Sequence, residues 1–167
     1  MKILSGFLAF FLIFITSPIY SDSPPPISIA VSMTPMGSFT IVAAKVSGKG
    51  SRKGAFFSAT EISVAVADLD SQIPLRTTHL KEKLEEKTFP TVSATQISAQ
   101  QGKGTAKITV RGISKDLSFS YTELGKNLAQ ASFTLKLSDF GISGIKYLGI
   151  GVDDEVLVAA TVPYEGQ

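Results

Sequence analysis

The sequence lacks cysteine altogether and has one histidine, His79, among its 167 residues. Without cysteine there are no disulfides, so the fold must be stabilised by packing and hydrogen bonds. A metal site would have to gather carboxylates around His79, and the spacing of the nearby Asp68 and Asp70 does not require one. No serine lies in the glycine pattern of a nucleophile elbow. We therefore expect no enzyme and no cofactor, and we assign His79 a structural or capping role.

A strong excess of charge is also missing, because sixteen basic residues stand against fourteen acidic ones. A nucleic-acid-binding protein needs a clustered basic face, so we expect no nucleic-acid partner. Lys49, Arg52 and Lys53 do lie close together, and we interpret them as part of a solvated turn. The glycines at 48 and 50 lack the spacing of a phosphate-binding loop.

Long apolar runs are absent except at the N-terminus, where Lys2 precedes an apolar stretch at 3–15. About a dozen residues match the hydrophobic region of a signal peptide and fall short of the roughly 20 needed to span a bilayer. We predict a signal peptide at 1–21 that is cleaved near Ser21. The mature protein is then periplasmic, with full secretion as an alternative, and has no stable membrane anchor. An uncleaved anchor is the competing interpretation.

The rest of the chain has the pattern of one β domain. Residues 22–26 form a polar, proline-rich lead-in that we expect to be mobile, and 27–167 form the domain. Short runs of alternating apolar and polar residues, separated by glycine, are typical of half-buried strands. Three runs joined by tight turns predict an antiparallel meander at 105–111, 117–122 and 131–137. Further strands are predicted at 29–33, 39–47, 55–67, 92–99 and 155–162, with a turn at 48–54.

About eight strands of this length favour a closed antiparallel barrel, since closure removes exposed edges. The segment 77–87 breaks the two-residue period and predicts a short amphipathic helix, capped by Thr77 or Thr78, with Leu80 and Leu84 facing the barrel. A barrel of this size is either packed with side chains or holds one ligand. The strand pattern does not decide between a packed interior and one that holds a ligand.

Five short segments follow one another along the chain: LRTTHLK at 75–81, FPT at 89–91, ITVRGISK at 108–115, SDFGI at 138–142 and DEV at 154–156. In this order they resemble motifs of the YceI-like family of polyisoprenoid-binding periplasmic proteins. The family's R-D-x-H-L motif has an acidic residue where this chain has Thr77. Its N-terminal motif is poorly matched, with Met36–Phe39 in the corresponding place.

The resemblance implies a lipocalin-like barrel with a long apolar cavity, often a homodimer, that binds an isoprenoid lipid or a quinone tail. Arg76 and Arg111 are candidates to contact a polar head group. The ligand-binding residues that we predict are apolar residues on inward strand faces or in matched motifs: Phe39, Ile62, Val64, Val66, Ile108, Val110, Phe119, Tyr121, Phe133, Leu135 and Phe140.

Three functions remain in competition at this stage. The first is a periplasmic binding or carrier protein for an isoprenoid or similar long apolar lipid. The second is an envelope stress or surface-interaction protein with a filled core and no lipid ligand. The third, a lipid hydrolase or isomerase, is the weakest because the chain has a single histidine.

Overall fold

The computed structural model describes residues 25–35, 37–125, 127–147 and 150–166. The predicted signal peptide and most of the lead-in lie outside these residues. The described chain forms eleven strands and one α-helix, in the order β1 (Ile27–Thr34), β2 (Ser38–Ala43), β3 (Gly50–Lys53), β4 (Phe56–Ala65), β5 (Leu69–Asp70), α1 (Pro74–Lys83), β6 (Thr91–Gln100), β7 (Lys103–Val110), β8 (Ile113–Glu123), β9 (Leu128–Lys136), β10 (Lys146–Tyr147) and β11 (Ile150–Gly166).

Seven of the described strands close into a barrel. The ring runs β3-β4-β6-β7-β8-β9-β11, and a parallel pairing between β3 and the end of β11 closes it. The other pairings in the ring are antiparallel. Beside β11, the sheet continues outside the ring through β1, β2 and β5, while β10 pairs with the first residues of β11. The predicted antiparallel barrel is confirmed, with seven strands in the closed ring where we expected about eight in all.

The closing strand β3 is the main departure from the prediction, which made 48–54 a turn. Its residues alternate between half-buried Gly50 and Arg52 and exposed Ser51 and Lys53. None of them is apolar, so the hydrophobic pattern gives no sign of a strand. Backbone pairing with β4 on one side and β11 on the other fixes the segment instead.

The meander of β7, β8 and β9 is confirmed. The turn between β7 and β8 is formed by Arg111 and Gly112, both with positive φ, 49° and 72°. Positive φ at both central residues matches the right-handed twist of a two-residue hairpin. A Cβ on Gly112 would lie 2.8 Å from the Phe89 ring, so this turn packs directly on the segment that follows the helix.

Helix α1 begins earlier and ends earlier than the predicted 77–87. Pro74 occupies the start of the helix, where its missing N–H is not needed, and Ile73 is the N-cap residue without a side-chain cap. Thr77 instead donates from its hydroxyl to Asp70 at 2.9 Å and accepts from the Ser71 N–H at 2.9 Å. Leu80 and Leu84 pack against the core as predicted. Within the described residues, no helix is long and apolar enough to cross a membrane.

The two ends of the barrel differ. We call the end that carries α1, the β7–β8 turn and the segment 137–146 the helix end. The opposite end carries the β3–β4, β6–β7 and β8–β9 turns and the last residues of β11, and we call it the tip end. The larger core cluster fills the helix end, with Val31, Val66, Val110, Phe140 and Ile142 among its buried members. A smaller cluster at the tip end is centred on Phe57, Ala99 and Tyr164.

Candidate functional site

A cavity of about 200 Å³ lies inside the barrel between the two core clusters. Inward faces of the ring strands line it, together with Ile27 and Ile29 from β1 and Leu69 from β5. Among the described residues, no lining side chain is charged, and hydroxyls are contributed only by Ser58, Ser93, Tyr121 and Tyr164. The cavity is therefore suited to an apolar ligand or an apolar part of one.

Small side chains create the space. Seven lining residues are alanines, and these alternate along the strands with larger apolar residues: Ala59, Ala94, Ala99, Ala106, Ala129, Ala131 and Ala160. Ala131 of β9 and Ala160 of β11 are directly paired, so two small side chains lie next to each other in the same wall of the barrel. At Gly104 of β7, the missing side chain makes room for the Phe119 ring, which lies 2.3 Å from where a Cβ would be placed.

Three aromatic rings close the cavity at the tip end. Phe57 packs edge-on against Tyr121 and Tyr164, with ring centroids 5.1 Å and 5.0 Å apart. Such edge-to-face pairs add stabilisation beyond the area they bury. On the outer side of the rings, the guanidinium of Arg52 lies 5.2 Å from the centroid of Phe57. The closure thus has an apolar inner face and a charged outer face.

A hydrogen-bonded group holds this closure from outside. The Tyr164 hydroxyl donates to Glu123 Oε2 at 3.0 Å, and Arg52 Nη1 donates to the same oxygen at 2.8 Å. A second, polar pocket lies directly outside and is lined by Arg52, Gly54, Glu123, Gly125, Asn127, Tyr164 and Gly166. Tyr164 lines both spaces, so its side chain is the partition between the apolar cavity and the outer pocket.

Seven of the eleven predicted ligand-binding residues line the cavity: Ile62, Val64, Ile108, Phe119, Tyr121, Phe133 and Leu135. The other four, Phe39, Val66, Val110 and Phe140, lie in or against the core cluster of the helix end instead. Phe39 lies on β2 outside the ring, and Val66 and Phe140 lie outside the strands. Val110 ends β7 in the part of the barrel that Leu80 and Leu84 fill. Contact with a ligand remains a prediction for all eleven.

The sequence prediction missed the alanines of the cavity and two of the three rings that close it. The prediction rested on large apolar side chains, whereas the hollow depends on alanines. Phe57 and Tyr164 were also missed, although both stand at alternating positions of strands. The barrel is filled at the helix end and hollow toward the tip end, so each of the two predicted interiors describes one part of it.

The two arginines proposed for a head group are engaged elsewhere. Arg76 stacks on Phe39, with its guanidinium carbon 4.1 Å from the ring centroid. Arg111 donates from Nη1 to the Gly141 carbonyl at 2.8 Å and forms an ion pair with Glu85. Both lie at the helix end and join elements there. Neither lines the cavity or the outer pocket.

Two carboxylates outside the cavity, Asp70 and Asp154, have structural partners. Asp154 accepts hydrogen bonds from the Ser138 hydroxyl at 2.6 Å and from the Ser138 N–H at 2.8 Å, and these lower its pKa below the ordinary value of 3.8. The Gln72 N–H and then the Thr77 hydroxyl lower the pKa of Asp70 in the same way. His79 is exposed on α1. Within the described ranges, no group of three histidines or acids is placed to hold a metal ion.

Fold and cavity together define an antiparallel barrel with an apolar interior suited to an apolar ligand. A family model described as the YceI-like domain matches residues 27–163, and the chain belongs to this family. No curated protein sequence matches the chain.

Solved structures with the same fold are similar at low sequence identity. Burkholderia cenocepacia BcnA has a TM-score of 0.62 and 20% identity, covering 81% of this chain and 94% of that one. A polyisoprenoid-binding domain from Saccharophagus degradans, implicated in plant cell wall breakdown, has a TM-score of 0.60 and 11% identity, covering 81% and 90%. The YceI protein of Campylobacter jejuni has a TM-score of 0.55 and 19% identity, covering 75% and 86%. These likenesses show the fold.

Proposed function

We propose that this protein is a periplasmic binding or carrier protein that holds the tail of an amphiphilic isoprenoid, or of a similar long apolar lipid, in its barrel, without catalysis. The observation that carries the proposal is the cavity of about 200 Å³ with an uncharged lining. The polyisoprenoid-binding character of the Saccharophagus degradans domain with the same fold supports the choice of lipid class.

Apolar burial alone supplies the affinity in this proposal. Each methylene moved from water into the cavity contributes about 0.8 kcal/mol, so a tail needs no strong polar contact to bind. A cavity of about 150 Å³ is known to hold one benzene molecule. A space of about 200 Å³ therefore takes one or two isoprene units as the side chains stand. A longer tail has to displace side chains of the closure.

The outer pocket is the place that we propose for the polar head of the lipid. Arg52 offers donors, Glu123 offers acceptors, and both line that pocket beside Tyr164. A head group with hydroxyl or carbonyl oxygens can hydrogen-bond there while the tail passes the Tyr164 ring. This assignment replaces Arg76 and Arg111, which lie at the opposite end and line neither the cavity nor the outer pocket.

Export to the periplasm is a separate part of the proposal and rests on the apolar segment at 3–15 and the predicted cleavage after Ser21. N-terminal sequencing of the protein recovered from the cell envelope tests it. A start within two residues of Asp22 is expected. A start at Met1 in the membrane fraction would show an uncleaved anchor instead.

The lipid itself is tested by extraction. The protein is purified from its native envelope without detergent, extracted with organic solvent, and the extract is analysed by mass spectrometry. We expect an isoprenoid or other long-chain lipid at close to one molecule per barrel. Absence of any stoichiometric lipid, together with failure to bind added polyprenyl lipid, would favour the surface-interaction alternative.

A further inference from the structure

Three exposed apolar side chains cluster on neighbouring turns at the tip end. Phe56 follows the β3–β4 turn and is 42% exposed, while Leu124 and Leu128 bracket the β8–β9 turn and are 36% and 39% exposed. The two turns face each other, because Gly54 of one and Gly125 of the other line the same outer pocket. Three exposed apolar side chains on facing turns at one end of the barrel differ from single scattered exposed residues, which need no explanation.

The same end is positively charged. The described residues of this end are 48–56, 100–103, 123–125, 127–128 and 163–166. They contain four basic and two acidic residues, a net charge of +2: Lys49, Arg52, Lys53 and Lys103 against Glu123 and Glu165. Lys49 pairs with Glu165, and Arg52 pairs with Glu123. Lys53 and Lys103 are exposed and have no ion-pair partner among the described residues.

The helix end has the opposite balance. Its segments 66–90, 111–114, 137–146 and 150–154 contain eight acidic and six basic residues, a net charge of −2: Asp68, Asp70, Glu82, Glu85, Glu86, Asp139, Asp153 and Asp154 against Arg76, Lys81, Lys83, Lys87, Arg111 and Lys146. Exposed apolar residues occur there too, Leu75 at 60% among them. An anionic surface would repel the helix end and attract the tip end.

We propose that the tip end docks onto an anionic lipid bilayer, with Lys53 and Lys103 at the head groups and Phe56, Leu124 and Leu128 inserted among them. Apolar side chains between lysines are the chemistry of interfacial membrane binding. Anionic lipids attract each basic residue near the surface, an effect that salt screens. A protein partner with an acidic patch is less well matched, since the apolar residues stand on separate turns that flank a polar pocket.

Docking in this orientation places the outer pocket and Tyr164 at the level of the lipid head groups. A lipid can then pass between bilayer and cavity without crossing water. The proposal goes beyond the proposed function, and the two can fail separately: docking is measured without added ligand, and ligand binding is measured without vesicles.

Vesicle flotation tests the proposal on the barrel domain, residues 25–167, whose ring strands pair with one another. The probes are vesicles of phosphatidylcholine alone and of an equimolar mixture with phosphatidylglycerol. We expect binding to the mixed vesicles that weakens with added salt and is absent with phosphatidylcholine alone. Lys53→Gln with Lys103→Gln should weaken it, by about fivefold for each lysine. Equal binding to both vesicle types, or to neither, would overturn the proposal.

Matched variants at the helix end are the controls. Lys83→Gln with Lys87→Gln removes two exposed lysines there, and Leu75→Ser removes an exposed apolar residue; neither should change binding. Phe56→Ser with Leu128→Ser should weaken it. Loss of binding in the helix-end variants equal to that in the tip-end variants would contradict the orientation.

A site-specific probe reports insertion directly. Because the chain has no cysteine, Ala55→Cys and Leu75→Cys each give a unique attachment point for an environment-sensitive fluorophore. We expect a blue shift on adding mixed vesicles for position 55 and none for position 75. A shift at position 55 that depends on protein concentration without vesicles would identify a second copy of the chain as the occupant and overturn bilayer docking.

Discussion

Tyr164 donates a hydrogen bond of 3.0 Å from its hydroxyl to Glu123, and this bond holds a ring that borders both the apolar cavity and the outer pocket. Because Glu123 is also held by Arg52, the ring is anchored to both the β8–β9 side and the β3 side of the barrel. Opening the cavity toward the tip end by moving the Tyr164 side chain therefore requires breaking its hydrogen bond to Glu123.

Tyr164→Phe should speed exchange of a bound lipid while leaving the apolar closure in place. The variant keeps the ring against Phe57 but loses one hydrogen bond, worth about 1 kcal/mol, so dissociation should be about fivefold faster. Stopped-flow transfer of a fluorescent polyprenyl analogue from protein to excess vesicles measures the rate. Tyr121→Phe is the matched control, since the structure shows no hydrogen bond from that hydroxyl within the described chain. Equal rates in the two variants would mean that lipid leaves by another route.

Ala131→Leu should reduce lipid binding without unfolding the barrel. The added carbons occupy the cavity, so the variant is expected to keep its stability or gain about 0.5–2 kcal/mol of unfolding free energy. Fluorescent-lipid titration and urea unfolding measure the two effects on the same sample. Ala65→Leu adds the same atoms to an exposed position of β4 and should leave binding unchanged. Undiminished binding in Ala131→Leu would place the ligand outside this cavity.

The helix end should behave as ordinary core. Phe140 is 2% exposed, and Phe140→Ala should cost about 3–5 kcal/mol of unfolding free energy. Phe133→Ala should cost less, because its ring borders the cavity, and should change lipid affinity more. Chemical unfolding and titration on both variants make the comparison, with Phe140→Leu available if the alanine variant does not fold. A larger loss of affinity for Phe140→Leu than for Phe133→Ala would reverse the assignment of the two ends.

Stability should fall in acid partly through Asp154. Its pKa is lower in the folded chain than its ordinary value of 3.8, so the ionised form favours folding. The contribution is present above about pH 4 and is lost as the pH falls through the folded-state pKa. Asp154→Asn should lower the unfolding temperature at neutral pH, and the difference from the wild type should shrink below about pH 4. A difference that stays constant down to about pH 2 would show that the loss has another cause.

Much of the fold was predictable because the inward faces repeat with the strand period. Ala106, Ile108 and Val110 of β7 are all buried, as their alternation indicates. The closing strand β3 was not predictable in this way, because it has no apolar residue and is held by backbone pairing. The helix begins at Pro74, before the predicted start at 77, because proline favours the first position of a helix and the charge pattern does not mark it.

The sequence predicts which side chains point into the barrel, but not at which level along the barrel the cavity lies. Alternation shows that Val110 points inward, yet only the packing of Leu80 and Leu84 shows that this level of the barrel is filled. A hollow depends on the volume that facing side chains leave between them. That volume is increased where small residues such as Ala131 and Ala160 lie side by side on strands that are not consecutive in the sequence.

Native mass spectrometry on two proteins purified in parallel from the cell envelope tests the central claim most directly. The wild type should carry one long-chain lipid per barrel. The double variant Ala131→Leu with Ala160→Leu, which fills the cavity from two adjacent lining positions, should be folded and carry none. Lipid retained by the folded double variant at the level of the wild type, or absent from both proteins, would contradict a lipid-holding cavity.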